Sequence, residues 1–187
     1  MNTAEIACVL NRAFALRQPR RNYASLQFLG VFAADTVPSA AHKFVFPCCF
    51  VINTDKSSQP GEHWVACLVL SPRHVEFFYS YGMSASAYPN LNIPFRITVR
   101  NTVLLQSLGS VACGHYCIYF LCMRLNGRSL GEVVRHLSHL GNYKQRDRFL
   151  YRFLHNLTAR LHILRPCVNV NVCLGLQCCV PRKLRMQ

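Results

Sequence analysis

The thirteen residues Cys113–Leu125, CGHYCIYFLCMRL, are apolar or small almost throughout, with Arg124 as the one formal charge. A helix apolar on every side has no face to offer water, so it must lie inside the protein, wrapped by other elements. The run is too short to cross a bilayer, which takes about 20 apolar residues. A chain of 187 residues, 51% of them hydrophobic, can wrap such a helix within one domain. Everything else in the sequence therefore has to be arranged around this segment, and Cys113 opens it.

The wrapping elements follow from apolar spacing. Thr3 to Leu16 predicts an amphipathic helix with Ile6, Val9, Leu10 and Phe14 on one side. Phe28-Leu-Gly-Val-Phe32 is read as part of a loop running through Asp35 to Pro38. Phe44–Asn53 and His63–Leu70 predict strands, and Ser71-Pro72-Arg73-His74 is turn chemistry leading into a third, Val75–Tyr81. That hairpin puts His63 at the start of one strand and Tyr79 near the end of the next. Ser84–Pro94 reads as loop, Phe95–Val99 as a short strand, and Val103–Leu105 as another. Ser129 with Glu132 three residues on predicts a capped helix through Leu140. Asp147–Leu164 predicts one more, with Phe149, Phe153, Leu157 and Leu161 recurring every four residues. Cys167–Val180 could be a strand or a mobile arm. The expected class is α+β: an antiparallel or mixed sheet packed against the central buried helix, with further helices on the C-terminal side. Residues 1–165 form the expected single domain, and 166–187 a basic, Cys-rich extension.

Charge and cysteine content bound the partners. Lys+Arg number 21 against 7 Asp+Glu, a net charge of +14, which favours a polyanion, most commonly nucleic acid. The positive residues are spread over Arg12–Arg21, Arg96–Arg100, Arg124–Arg165 and the Pro181–Arg185 tail. Such a spread suits backbone electrostatics rather than base readout, or simply a solvated basic surface. Glu5 lies near the start and no basic segment leads into a small-residue cleavage site, so no secretory signal is expected. In a reducing compartment most of the eleven cysteines would be small buried hydrophobes. The adjacent pairs Cys48-Cys49 and Cys178-Cys179 lack C-x-x-C spacing, so no metal site is expected.

Three residues carry chemistry as a set. Cys113 stands at the start of the buried helix, His63 lies in Gly61-Glu62-His63-Trp64, and Gln106 precedes the cysteine by seven residues in QSLGSVACG. These are the nucleophile, general base and oxyanion donor of a papain-type acyl-transfer site. A helix N-terminus and a nearby imidazolium both lower a thiol pKa, so a thiolate is expected near neutral pH. The NH₂ of Gln106 can donate to a developing oxyanion. Singly, each has a plainer role: a core thiol, a hydrogen-bonded strand histidine, a polar loop residue.

From Phe28 to about Leu125 the sequence resembles the adenovirus-type endopeptidases, and more broadly the cysteine-protease clan that includes SUMO-deconjugating enzymes. Phe28–Asp35 is similar to that family's Gly-containing N-terminal segment. Asn53-Thr54 with Glu62-His63-Trp64 is similar to its asparagine-then-histidine-tryptophan strand, and Gln106–Cys117 to its glutamine-to-cysteine segment. Relatives occur in viruses and in self-synthesising DNA transposons. The resemblance implies Cys113 as nucleophile, His63 as base, Gln106 as oxyanion donor, and Trp64 as a shield beside the histidine or a core anchor. The family's orienting acid falls on Tyr79, in Phe77-Phe78-Tyr79-Ser80-Tyr81-Gly82. Tyrosine is neutral near pH 7, so a Cys–His dyad is expected. Glu76 should point to the opposite strand face, and Asp55 sits in a loop. The cysteine that accepts the family's activating peptide aligns near Arg96, so no disulfide-linked peptide and no required cofactor is expected, with DNA as a stimulating polyanion.

The function so implied is a thiol endopeptidase maturing viral or transposon structural proteins, cutting after small residues such as glycine. It would act as a monomer in the host nucleus and virion, on polypeptide substrates, with non-specific DNA contacts and no membrane partner. Alternatives are a catalytically degenerate protease fold serving as a basic DNA-binding or structural virion protein, and a deconjugating enzyme acting on a ubiquitin-like protein.

Overall fold

A computed structural model describes residues 1–16, 25–39 and 43–162. Among the described residues, five strands form one mixed sheet in chain order: β1 Gln27–Phe32, β2 Cys48–Asn53, β3 Trp64–Ser71, β4 His74–Phe78 and β5 Val99–Arg100. β2, β3 and β4 pair antiparallel, while β1 and β5 add in parallel at the two edges. The helices are α1 Thr3–Ala15, α2 Cys113–Leu125, α3 Leu130–His139 and α4 Tyr143–Arg160. The fold is α+β, and the expected central helix is α2 to the residue.

Alternation along the strands divides the interior into two layers. Cys49 and Val51 of β2, Ala66 and Leu68 of β3, and Phe78 of β4 face α2 and pack with Tyr116, Cys117, Phe120 and Leu121. Phe78 and Phe120 stack with ring centroids 4.6 Å apart. The other face carries Cys48, Phe50, Ile52, Val65, Cys67, Val75, Phe77 and Tyr79, covered from loops by Phe44, Phe46, Leu91, Ile93 and Phe95. Because both faces are covered, β2 reads as a continuous apolar run rather than an alternating one. α1, α3 and α4 complete the enclosure of α2, whose only formal charge is answered within the core. Arg124 Nε and Nη2 donate to the two carboxylate oxygens of Glu76 at 2.8 and 2.9 Å. Glu76 thus shares the α2 face with Phe78, as its strand parity predicts.

Several boundaries differ from the sequence expectation. Phe28–Phe32 is not loop but most of β1, with a register shift between Phe28 and Gly30 where Gly30 takes φ +135°. Of the expected strand Phe95–Val99 only Val99 is strand, forming β5 with Arg100, and Val103–Leu105 is irregular. α3 is capped by Ser129 and Glu132 as expected, whereas α4 starts earlier because Asn142 and Gln145 form a capping box of their own. The expected strand or arm at Cys167–Val180, and the extension 166–187 with it, lie outside the described residues.

Candidate active site

His63 is delivered to the start of β3 by a clamped turn. The Asn53 side-chain carbonyl accepts from the backbone N–H of Asp55 at 2.9 Å and of Glu62 at 3.3 Å. The Thr54 N–H donates to the His63 carbonyl at 2.9 Å. Gly61, at φ +94°, lies where a Cβ would stand 2.8 Å from the Asn53 amide nitrogen, so a side chain there would be strained and would displace the Asn53 amide. The asparagine ahead of the His-Trp step is therefore the residue that closes the loop bringing the imidazole to the sheet.

The imidazole is 4% exposed and is held on three sides. Its ring packs 4.4 Å from Tyr81 and edge-on at 4.9 Å from Tyr79, centroid to centroid. Nε2 lies 3.2 Å from Ser80 Oγ. Ser80 Oγ donates to Gln106 Oε1 at 2.7 Å, and Gln106 Nε2 donates to the Ser110 carbonyl at 2.7 Å. Gln106 itself is fully buried, at 0% exposure.

Cys113 begins α2 directly after Ala112, which has no side-chain cap, so the helix's first N–H groups are left to the cysteine end. The backbone N–H groups of Trp64 and Gly114 act on the thiol and pull its pKa down, but burial outweighs them and the thiol stands above the ordinary value. Burial likewise pushes His63 down to about 4. At neutral pH both partners are therefore uncharged. Burial thus works against the expected thiolate: the helix end does act on the sulfur, but 9% exposure leaves little water to solvate an anion.

Tyr79 is not the group at the imidazole nitrogen. Its hydroxyl pairs with the Tyr88 hydroxyl at 2.5 Å, and only its ring edge meets His63. Glu76 is committed to Arg124, and Asp55 accepts from the Gly61 N–H at 3.2 Å. The hydroxyl in hydrogen-bonding contact is Ser80's, which sequence reasoning passed over. A signal was present: Glu76 and Ser80 are the polar residues of the otherwise apolar VEFFYSY segment. Trp64, 8% exposed, packs in the α2-side core and donates its indole N–H to the Met1 carbonyl at 3.2 Å.

No family model matches the chain, and no curated protein matches it. Among the solved structures similar to it is the crystal structure of the ASFV pS273R protease. Identity is 23%, the match covers 56% of this chain and 43% of that one, and the TM-score is 0.35. This chain thus spans less than half the length of that protease, and the likeness is too distant to carry a residue's role from one to the other.

Proposed function

We propose that this chain is a cysteine endopeptidase acting by acyl transfer, with Cys113 as nucleophile and His63 as base. The observation that carries it is the convergence at one end of the sheet. His63 is followed by Trp64, whose N–H acts on the Cys113 thiol, while its own ring is tied through Ser80 to Gln106 on the loop that leads into α2. With both groups neutral at rest, the thiol proton passes to the imidazole as sulfur attacks the scissile carbonyl. The acyl-enzyme is then hydrolysed by water, with the imidazole as base again. The Gln106 amide uses one N–H on Ser110 and has a second, which suits it to the developing oxyanion.

By resemblance, the substrates are viral or transposon structural polypeptides cut after small residues, in host nucleus and virion, with DNA as a stimulating polyanion drawn by the +14 charge. Purified protein is expected to cleave a Gly-Gly peptide and to be labelled at Cys113 by a peptide analogue that carries an alkylating group. Cleavage that survives Cys113→Ala overturns the proposal.

The enclosure of the site favours a second reading, a basic binding protein on a protease fold without turnover. It predicts duplex-DNA binding that falls steeply with salt and is indifferent to Cys113→Ala, with no peptide cleaved.

A further inference from the structure

We propose that Ser80 is a positioning residue that fixes the tautomer of His63, holding the ring proton on Nε2 so that Nδ1 is the basic atom. This rests on the acyl-transfer reading of Cys113 and His63, and it assigns to a neutral hydroxyl the orienting work that a carboxylate does in a triad.

Proton bookkeeping along the chain of contacts leads there. The Ser110 carbonyl can only accept, so the Gln106 group 2.7 Å from it must be the NH₂. That orientation turns Gln106 Oε1 toward Ser80, where it needs a proton. Ser80 has one hydroxyl proton, and the 2.7 Å contact to Oε1 takes it. Toward His63, 3.2 Å away, the Ser80 oxygen can then only accept, so Nε2 carries the hydrogen. A neutral imidazole protonated at Nε2 has its lone pair on Nδ1. All three bonds run in one direction, from imidazole to Ser80 to Gln106 to the Ser110 carbonyl.

The backbone around Ser80 is fixed from both sides, as a positioning role requires. Asn101 brackets the preceding peptide: its Oδ1 accepts from the Tyr79 N–H and its Nδ2 donates to the Tyr79 carbonyl, each at 2.8 Å. The Ser80 carbonyl accepts from the N–H groups of Leu105 and Gln106 at 2.8 and 3.1 Å. Gly82 closes the turn by donating to the Tyr79 carbonyl at 2.8 Å. Residue 106 thus holds Ser80 twice, by its main chain and by its side chain.

The chemistry follows from using a hydroxyl. It orients the ring but stabilises an imidazolium far less than a carboxylate would, which fits a site that rests as thiol and neutral imidazole. On attack the S–H bond breaks, its proton goes to Nδ1, the sulfur lone pair forms the S–C bond, and the carbonyl π pair moves onto oxygen. When the C–N bond breaks, the Nδ1 proton leaves with the amine nitrogen.

The test is nitrogen-15 NMR of the ring of His63 in the full chain at neutral pH, together with peptide-cleavage kinetics of Ser80→Ala and Ser80→Thr. The unaltered protein is expected to show a single Nε2–H tautomer. Ser80→Ala is expected to give mixed tautomers and a kcat about five- to tenfold lower at unchanged KM, the factor for one neutral hydrogen bond. Ser80→Thr, which keeps the hydroxyl, is expected to restore both. An Nδ1–H tautomer in the unaltered protein overturns the proposal without any variant. So does Ser80→Ala with the tautomer and kcat unmoved. Failure to cleave any peptide defeats the acyl-transfer reading alone, because the tautomer is read without turnover.

Discussion

Lowering the pH from 7 to 5 should weaken this fold through two histidines. Burial holds His63 and His115 near a pKa of about 4, against 6.5 for the free side chain. Between those values the unfolded chain binds protons that the native state refuses, so stability rises with pH and falls as pH drops from about 6.5 toward 4. For one histidine with those two constants, the loss is about 2 kcal/mol by pH 5 and about 3.4 kcal/mol at the acid limit. The pair would therefore remove about 4 kcal/mol by pH 5, a large part of a typical stability of about 5–15 kcal/mol. Between pH 7 and 5 the window is clean because Glu132, held at about 2 against 4.5 by Ser129 and Arg128, loses its stabilising effect only as pH falls from about 4.5 toward 2. Urea unfolding midpoints at half-unit pH steps measure the slope. His63→Gln should flatten it by about half between pH 7 and 5, whatever constant offset the substitution adds. Parallel curves for the two proteins, or a flat profile for the parent, would refute burial as the cause.

Three substitutions probe the scaffold around the site. Gly82→Ala must adopt φ +72° with its Cβ 2.7 Å from the Val103 carbonyl carbon, so it should cost at least about 1–3 kcal/mol in denaturant unfolding and reduce cleavage by moving the Ser80 turn. Tyr79→Phe should lose about 1 kcal/mol with the Tyr88 bond and leave the His63 tautomer as it was, read by the same NMR spectrum. Arg124→Met leaves the buried Glu76 with only the half-exposed His74 imidazole, 3.7 Å away, and should cost about 3–5 kcal/mol by urea unfolding, recovered in part by adding Glu76→Gln.

The parts of the fold that were legible in sequence are those with local causes. α2 announces itself by uniform apolarity, α3 by the Ser129–Glu132 box, and the β3–β4 hairpin by the Pro72-Arg73 turn between two apolar runs. β1 was opaque because its pairing with β2 is parallel and distant, and because Gly30 interrupts its alternation at the bulge. The site divides the same way. Cys113, His63 and Gln106 stand out by type and spacing, but which group meets the imidazole depends on where β4 ends. Regular strand stops at Phe78, and the turn beyond it is set by Asn101 and Gly82, so motif alignment chose Tyr79 where geometry presents Ser80. The charge state of the thiol was illegible for another reason: it depends on burial, which no spacing reports.

The protonated resting state of Cys113 has a pharmacological side. Peroxide and simple electrophiles react with thiolates, so a thiol kept above its ordinary pKa is a poor target while the site stands empty. Burial raises Cys48, Cys67, Cys117 and Cys122 as well, which leaves the core cysteines chemically quiet together. A small reactive warhead would therefore find little to distinguish Cys113 from its neighbours. Selectivity has to come from the portion of an inhibitor that imitates the peptide and draws the proton across to His63.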